Sequence, residues 1–391
     1  MVRTVDVLLV GGGVASVRCA RTLRREGFAG TILVAGEEET PPYNRPPLSK
    51  ELLRGDLPDD LVAAEPASWY ARRSVELRTG TAVGAVDLER REATLADGAT
   101  IRFERCLLAT GASPHRLTIP GEDHAILLRT LSDARRLRAA SVRAGAGAPV
   151  VVIGGSFIGI EVASSLANTG LRPIVVELGD RLWSGRLGDE LAAWAADRLR
   201  GAGISLRLGS VVDRIDADGA WVGDERLPAA FVVAGIGVRP RDEVARDAGL
   251  EVDDGIVVAG DQRASHPIAW AAGDVARRGP VRIEHWHAAR EGGERAARGM
   301  LGLPIPDAPE PWVFSEVAGT SLDVVGAPAG WDDERWIGHG RLLAYLAAGR
   351  LVQLASIGSA MPPDEMRRLV SGRASLAEVA SAADAIRPGS A

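Results

Sequence analysis

Two stretches of the chain share one pattern of hydrophobic and polar positions. Each has a short apolar run, a glycine-rich turn, an amphipathic segment and a second apolar run that ends in glutamate. The stretches are Val5–Glu37 and Val150–Glu177. This order is typical of a strand–turn–helix–strand unit. Two such units far apart in one chain predict an α/β fold with two dinucleotide-type sites.

The rest of the chain is patterned differently. Residues Ala82–Thr110 alternate as hairpin strands do, and Ile204–Gly237 reads as short strands with an Asp-Gly turn. Glu284–Leu301 has the pattern of a helix. Residues 311–391 are only weakly patterned, and we expect Ser375–Ala391 to be a frayed end.

Composition narrows the function classes. The 391 residues are 46% hydrophobic and 25% charged, which suits a globular protein of two or three domains. The net charge of −6 shows no overall excess of positive charge of the kind that binds nucleic acid. The apolar runs are too short to cross a membrane, and Asp6 precedes any apolar stretch, so we expect no signal peptide and a cytoplasmic protein.

Lysine occurs once, at Lys50, beside 45 arginines. A retained lysine indicates a need for a compact ammonium, although a bias toward arginine with one chance survivor explains the count equally well. Cys19 and Cys106 form no CxxC motif and are interpreted as packing residues, which excludes a redox dithiol. The six histidines have no metal-ligand spacing. His285 and His287, two apart in a predicted helix, should point away from each other, so no metal site is expected.

The first glycine turn carries the pattern GxGxxG with serine at its last position. Gly11 permits the tight turn, Gly13 lets backbone approach a pyrophosphate, and Val14, Ala15 and Ser16 open the helix. Glu37 closes the unit, where a carboxylate hydrogen-bonds a ribose, and Glu38 and Glu39 are the alternative registers for that carboxylate. A turn that binds no nucleotide is the alternative.

The second turn lacks the middle glycine. It runs through Gly154, Ser156, Phe157, Ile158 and Gly159. A carboxylate at Glu177 favours a free ribose 2′-hydroxyl and therefore NADH over NADPH. The alternative is a solvated glutamate at a strand end.

Pro41–Lys50 reads PPYNRPPLSK, and later motifs read ATG, LRT, GIGVRP, AAGD and EHW in that order. With these motifs the chain resembles, over residues 4–302, the FAD-dependent NADH:ferredoxin and rubredoxin reductases. These are the putidaredoxin-reductase-like and Rieske-dioxygenase ferredoxin reductases, to which apoptosis-inducing factor is related. The resemblance implies two Rossmann-like domains of the glutathione-reductase type plus a small C-terminal α/β domain. The expected boundaries are 1–115 and 238–305 for FAD, 116–237 for NAD and 310–391 for the last domain.

The resemblance also assigns the candidate binding residues. Those for FAD are Gly11, Gly13, Val14, Ala15, Ser16, Glu37, Arg45, Lys50, Val83, Ala109, Thr110, Gly111, Arg129, Gly273, Asp274 and Trp286. Those for NAD are Gly154, Ser156, Phe157, Ile158, Gly159, Glu177 and Gly237. For Asp274 a turn carboxylate, and for Arg129 an ordinary surface arginine, are the alternatives.

Lys50 and Glu161 are the implied catalytic residues. The family pairs a lysine near flavin N5 with a glutamate in the first turn of the NAD-side helix. A fixed ammonium there stabilises negative charge that develops on the ring, and the carboxylate orients it. The alternative is an ordinary surface ion pair.

The implied function is an FAD enzyme that takes hydride from NADH and passes electrons singly to a [2Fe–2S] ferredoxin serving a cytochrome P450 or oxygenase. No nucleic acid or membrane partner is expected, and the chain should be a monomer or homodimer. Phe314 stands where the family has tryptophan, Glu316-Val317 replaces an acid–amide pair, and His287 replaces a neutral polar residue. Residues 311–391 hold seven arginines and nine acids, so no net positive face for a ferredoxin is visible there. An NADH-dependent reductase or oxidase of a small molecule, and an NADH-sensing interaction protein, remain the alternatives.

Overall fold

The structure is a computed structural model that describes residues 3–326 and 330–386. Its internal contacts divide the chain into two compact units. Unit 1 comprises the described residues up to 46, with 59–113 and 238–307, and unit 2 comprises 47–58, 114–237 and the described residues from 308 on. The three domain boundaries expected from the sequence remain a prediction.

Unit 1 contains eleven strands and four helices within the described residues. They are β1 (Arg3–Val10), α1 (Val14–Arg25), β2 (Ile32–Ala35), α3 (Ala67–Arg72), β3 (Val75–Arg78), β4 (Val83–Asp87), β5 (Glu92–Leu95), β6 (Thr100–Leu108), β7 (Ala112–Pro114), β16 (Val238–Pro240), α7 (Glu243–Asp247), β17 (Ile256–Val257), β18 (Ala269–Ala271), β19 (Ala276–Arg277) and α8 (Trp286–Met300). The two short pairs are β7 with β16 and β17 with β19.

The main sheet of unit 1 is built around β1. Strands β3, β2, β1, β6 and β18 run parallel, and the hairpin β4–β5 joins the first half of β6 antiparallel. Successive residues Val7, Leu8 and Leu9 are all fully buried, because both faces of this central parallel strand are covered. Helices α1 and α8 cover one face, and a Cβ on Gly293 of α8 would lie 2.2 Å from the Ala15 carbonyl oxygen of α1. The two helices therefore pack backbone to backbone at this point.

Unit 2 contains thirteen strands and six helices within the described residues. They are α2 (Glu51–Arg54), β8 (Ala125–Leu127), α4 (Leu131–Ala144), β9 (Pro149–Ile153), α5 (Phe157–Asn168), β10 (Arg172–Val176), α6 (Asp189–Gly201), β11 (Ser205–Arg207), β12 (Arg214–Asp216), β13 (Gly219–Val222), β14 (Glu225–Pro228), β15 (Val232–Ala234), β20 (Trp312–Val317), β21 (Thr320–Gly326), β22 (Asp333–Ile337), β23 (Leu342–Ala347), β24 (Arg350–Ile357), α9 (Pro363–Ser371) and α10 (Leu376–Ala385).

Three sheets make up unit 2. A parallel sheet has the order β11-β10-β9-β15-β8, a small antiparallel sheet has β12-β13-β14, and a third antiparallel sheet has β20-β21-β24-β23-β22. Residues of α5, α6 and the third sheet share one buried core, which includes Val162, Leu199 and Val324. Among the described residues, no helix has both the length and the apolar character needed to cross a membrane.

The last described helix corrects the sequence analysis. We expected a frayed end from Ser375 onward, but α10 runs over Leu376–Ala385. Ser375 and Glu378 form a capping box, in which each side chain binds the backbone N–H of the other residue. Residues 387–391 of the expected frayed end lie outside the described residues.

Candidate active site

The first predicted glycine turn follows β1 and presses against the end of β6. Gly11 has φ +109°, and a Cβ there would lie 2.2 Å from the Ala109 carbonyl oxygen. A Cβ on Gly13 would instead meet no atom within 4 Å. Gly11 is therefore required by the turn itself, and the open side at Gly13 gives a pyrophosphate room to approach.

The first turn of α1 has backbone N–H groups that no side-chain cap binds. Gly13 is the N-cap residue and has no side chain with which to bind the first N–H groups of α1. Val14 and Ala15 follow it, and the Ser16 side chain is fully buried with its hydroxyl unpaired among the described residues. Unspent N–H groups and a positive helix end fit the phosphates of a dinucleotide.

Five further predicted FAD residues lie at the same edge of this sheet. The carboxyl ends of β1, β6 and β18 coincide, because Val10 pairs with Leu108 and Leu108 with Ala271. The residues that follow β6 and β18 are Ala109, Thr110, Gly111, Gly273 and Asp274. Unit 1 therefore brings them to the side of the sheet that carries the glycine turn, where ligands of such sheets bind.

Glu37 follows β2 and is exposed, and Arg241 Nη1 donates to its Oε2 at 2.6 Å. The Arg241 carbonyl accepts from the Thr110 hydroxyl at 2.6 Å. Arg241 therefore connects Glu37 to Thr110, and the sequence analysis missed it because 204 and 131 residues separate it from these partners.

Arg45 lies in a polar cluster of unit 1. Its guanidinium donates to Glu38 at 2.8 Å and to the Tyr43 hydroxyl at 3.1 Å. Burial disfavours the charged guanidinium, but Tyr43 and Glu38, with a contribution from Asp274, raise the pKa of Arg45 above its ordinary value. The cluster keeps a permanent positive charge near Asp274.

The last two predicted FAD residues of unit 1 begin secondary-structure elements. Val83 begins β4 and is buried. Trp286 begins α8, and its indole N–H donates to Asn44 at 2.9 Å. The side chain of Trp286 is therefore held by the loop that precedes Arg45.

Unit 2 repeats the glycine turn after β9. Gly154 has φ +109°, as Gly11 has, and a Cβ there would lie 2.4 Å from the Gly235 carbonyl oxygen. A Cβ on Gly159 would lie 1.9 Å from the Gly154 carbonyl oxygen, so the last glycine of the motif is also required. Ser156 is the N-cap of α5 and makes no side-chain cap. Its first N–H groups remain available to a phosphate.

Phe157 and Ile158 form the first turn of α5. The Phe157 ring lies 5.6 Å from that of the fully buried Trp183, whereas Ile158 is 45% exposed. Gly237, the last predicted NAD residue, has φ +98° and follows β15 at the same edge of the parallel sheet.

Glu177 ends β10 and holds the second turn in place. Its carboxylate accepts hydrogen bonds from the backbone N–H groups of Gly155 and, at 2.7 Å, of Gly179. A carboxylate at this position suits a ribose with free hydroxyls and repels a 2′-phosphate.

Lys50 and Glu161 form a buried ion pair in unit 2. Lys50 Nζ lies 3.0 Å from Glu161 Oε2, and the two side chains are 9% and 5% exposed. The Ser49 hydroxyl donates to the same oxygen at 2.5 Å, and the Ser315 hydroxyl donates to Oε1 at 2.8 Å. Among the described residues, Lys50, Ser49 and Ser315 all donate to Glu161, an arrangement that suits an ionised carboxylate.

The ammonium of Lys50 keeps unspent donors. Among the described residues its one hydrogen bond is to Glu161, which leaves two of its three N–H groups for another partner. The Phe314 ring lies 5.6 Å from Nζ. A buried ammonium with free N–H groups fits the negative charge that a reduced flavin carries. Arg129, the other predicted FAD residue of unit 2, follows β8.

The serines that hold Glu161 were missed by the sequence analysis. Ser49 and Ser315 are 112 and 154 residues from Glu161 along the chain, and neither belongs to a motif of catalytic spacing. The only sequence signal was their position beside residues already singled out, Lys50 and Phe314.

One expectation about the histidines was wrong. The rings of His285 and His287 stack at 6.0 Å, with 16° between their planes. His285 is the extended N-cap of α8, with φ −145°, so the helical i, i+2 divergence does not apply. In the part of the chain that the structure describes, no group of histidine, cysteine and acidic residues could hold a metal ion.

The comparisons with known proteins agree with this geometry. Residues 5–293 match the model of the pyridine nucleotide-disulphide oxidoreductases, so the chain belongs to this family. It is 33% identical to the ferredoxin–NAD(+) reductase component of the biphenyl dioxygenase system of Paraburkholderia xenovorans LB400, over 83% of this chain and 81% of that protein.

Two solved structures resemble it over nearly the whole length. One is the covalent putidaredoxin reductase–putidaredoxin complex, with TM-score 0.89, 30% identity, and 94% of this chain and 93% of that chain covered. The other is the ferredoxin reductase for the CYP199A2 system from Rhodopseudomonas palustris, with TM-score 0.87, 30% identity, and coverage of 95% and 98%. The predicted family and fold class are confirmed.

Proposed function

We propose that this chain is an NADH-dependent, FAD-containing reductase that passes electrons one at a time to a [2Fe–2S] ferredoxin serving a cytochrome P450 or an oxygenase. Support comes from the family and from relatives named as ferredoxin–NAD(+) reductases of dioxygenase and P450 systems. The putidaredoxin reductase structure holds its ferredoxin in a covalent complex. We further propose a cytoplasmic monomer or homodimer.

The two glycine turns divide the cofactors between the units. The turn after β1, with Asp274 and Trp286, would hold FAD, and the turn after β9, with Glu177, would hold NADH. FAD, when bound, accepts a hydride and releases its electrons singly. The residues of this chain bind and orient the two cofactors and supply the fixed charge of Lys50.

The single observation that carries the proposal is the Lys50–Glu161 pair. A buried ammonium is expensive unless it is paired and hydrogen-bonded, and here Glu161 supplies the pairing while two N–H groups stay unspent. The serines at both carboxylate oxygens fix Glu161, and Glu161 in turn fixes Lys50. This preorganised charge would stabilise electron density delivered beside it.

The cysteines support direct release of the electrons. Cys19 and Cys106 are fully buried and form no disulfide. Burial raises the pKa of the Cys106 thiol to about 12 and also raises the pKa of Cys19, so neither is a thiolate at neutral pH. A thiol relay therefore has no suitable residue in this chain.

A second candidate is an NADH-dependent reductase of a small molecule such as a quinone. The observation in its favour is that Glu316 is bound to Arg54 at 2.8 Å. Arg54 of the same unit therefore already neutralises the charge of the acid in this altered stretch. The remaining alternative, an NADH-sensing interaction protein, would need no electron acceptor.

An anaerobic absorbance titration of the FAD-loaded protein tests the proposal. NADH, and more weakly NADPH, should bleach the flavin, and oxidised [2Fe–2S] ferredoxin should then restore its colour within seconds. Bleaching that a quinone reverses but ferredoxin does not would transfer the assignment to the second candidate. Failure of both nucleotides to bleach the flavin would refute the reductase proposal.

A further inference from the structure

Helix α6 begins at an N-terminus that its own N-cap residue does not cap. That residue is Gly188, which has no side chain. Glu334 of strand β22, in the third sheet of unit 2, supplies the cap instead. Its Oε1 accepts from the backbone N–H of Asp189 at 3.3 Å, and its Oε2 accepts from the N–H of Glu190 at 3.2 Å. The carboxylate therefore binds two N–H groups that a helix start leaves unpaired, and its charge suits the positive helix end.

Gly188 and Glu334 lie in direct contact. A Cβ on Gly188 would lie 2.0 Å from Oε1 of Glu334, although the Gly188 backbone, with φ −76°, is one that any residue can adopt. The indole N–H of Trp331 also donates to this oxygen, at 3.1 Å, and that of Trp336 donates to Glu190 at 2.9 Å. A side chain at position 188 would therefore displace the carboxylate from the helix start without straining the backbone.

Segment 178–187 leads from the end of β10 to α6 and touches the predicted NAD turn on its way. Trp183 donates its backbone N–H to the Gly155 carbonyl at 3.1 Å, and its ring lies 5.6 Å from that of Phe157. Its φ of +52° is uncommon for a bulky residue, so the surrounding contacts have to maintain it. The Trp183 carbonyl accepts from the N–H of Leu187 at 3.2 Å. Direct contacts therefore run from the start of α6 to the glycine turn.

Arg181 binds the same segment to the start of α6. Its guanidinium donates to the Leu187 carbonyl at 2.5 Å and lies 2.9 Å from a carboxylate oxygen of Asp189. Asp189 is also one of the two residues whose backbone N–H binds Glu334. The segment and the cap therefore share Asp189, and loss of the cap would loosen the end of the segment that supports Trp183.

We propose that Glu334 is a positioning residue for NADH, which holds the second glycine turn in its binding conformation through α6 and Trp183. This inference rests on the proposed function. A turn that is already ordered loses little conformational entropy when the nucleotide binds. Without the carboxylate the first turn of α6 frays, the segment gains freedom, and nucleotide binding has to order it. The effect falls on affinity and not on the hydride step, because Lys50 and Glu161 lie outside this segment.

The test removes the cap in two ways in the FAD-loaded full-length protein. E334A deletes the carboxylate, and G188A displaces it with a methyl group. E365A, which removes a carboxylate bound to Arg368 on α9, is the control for the first variant. G201A, which adds a methyl group to α6 where the space is open, is the control for the second. The measurements are Kd for NAD+ by calorimetry, KM for NADH and kcat with ferricyanide as acceptor, and Tm.

We expect E334A and G188A each to raise Kd for NAD+ and KM for NADH about fivefold and to change kcat by less than about twofold. The two effects should not add, because the methyl group of G188A/E334A has no carboxylate to displace, so the double variant should match E334A. E334Q, which keeps one acceptor oxygen, should have a Kd between those of the wild type and E334A. The variants E365A and G201A should match the wild type.

A lower Tm in E334A and G188A with Kd unchanged would show that the cap only stabilises the fold, and would overturn the proposal. A loss confined to kcat, or additive effects of the two substitutions, would overturn it as well. The proposed function survives these results, since the wild type still reduces its flavin with NADH. If E334A does not fold, G188A and E334Q decide by the same criteria. A wild type that neither binds NAD+ nor is reduced by NADH would refute the proposed function, and this inference with it.

Discussion

Ser315 donates a hydrogen bond to Oε1 of Glu161 at 2.8 Å, on the oxygen opposite the one that binds Lys50. Strand β20 thereby completes the coordination of a carboxylate that belongs to α5. The C-terminal region, in which sequence patterning was weakest, supplies one of the three donors to the central charge pair of unit 2.

Replacing Ser315 by alanine should leave Glu161 Oε1 buried without a donor. We expect S315A to lower the free energy of unfolding by about 1–3 kcal/mol, as the loss of a hydrogen bond to a charged buried group does. Urea unfolding measures it. The matched variant S321A removes a hydroxyl bond at an exposed site on β21 and should change little. A similar small change in S315A would show that the bond is not maintained in solution.

Replacing Lys50 should lower the free energy of unfolding more than replacing Ser315 does. K50M leaves the Glu161 charge buried without a counter-charge, and we expect a loss of about 3–5 kcal/mol. The double variant K50M/E161Q should recover much of this loss, because no unpaired charge remains. A double-mutant cycle by urea unfolding measures the coupling. Additive effects of the two substitutions would contradict a direct pair.

Glu177 should control the choice between NADH and NADPH. We expect E177Q to weaken the backbone contacts to Gly155 and Gly179, to raise KM for NADH about tenfold, or about 1.4 kcal/mol, and to reduce discrimination against NADPH. Steady-state kcat/KM with both nucleotides gives the ratio. E225Q, an exposed glutamate of the same unit, is the control. An unchanged ratio in E177Q would show that the carboxylate does not read the ribose.

The two cysteines should be unreactive in the folded protein. Burial raises both thiol pKa values, so the reactive thiolate is scarce and inaccessible. We expect no labelling of Cys19 or Cys106 by iodoacetamide at pH 8 over an hour, and full labelling of both in 6 M guanidinium. Mass spectrometry of the intact protein reads this out. Rapid labelling of the native protein would contradict the conclusion that neither cysteine can serve in a thiol relay.

Asp323 should make stability depend on pH. Burial raises the pKa of Asp323, although the hydrogen bond from Trp312 Nε1 at 2.9 Å opposes this shift. The folded state therefore binds the proton more tightly than the unfolded state, and ionisation destabilises the fold as pH rises through the folded-state pKa. D323N should accordingly raise Tm more at pH 7 than at pH 4. The exposed D364N should not, and equal shifts at both pH values would contradict this assignment.

The features predicted correctly from the sequence are those that a single residue or a short motif determines. Gly11 and Gly154 have the same φ because the same steric demand selects glycine at both turns. The composition singled out Lys50, which the structure buries beside Glu161. The roles of Ser49 and Ser315 were not predicted, because hydrogen bonds to a residue more than a hundred positions away leave no periodic pattern in the sequence.

The C-terminal region shows a second limit of the sequence analysis. The run of buried residues in β23, Leu342–Leu346, has no alternation because both faces of the strand are covered. Its pattern alone cannot distinguish a buried strand from a buried helix. The capping box at Ser375 and Glu378 was visible in the sequence and would have predicted α10.

The division into two units affects how the chain folds during its synthesis. The chain crosses between the units five times, so neither unit is a continuous stretch that a ribosome could finish before starting the other. Strand β6 ends at Leu108, but its parallel neighbour β18 begins only at Ala269. At roughly 5–20 residues per second, residues Cys106–Leu108 of β6 wait on the order of ten seconds for the strand that pairs with them. During that interval the exposed end of β6 is an open template for other strands.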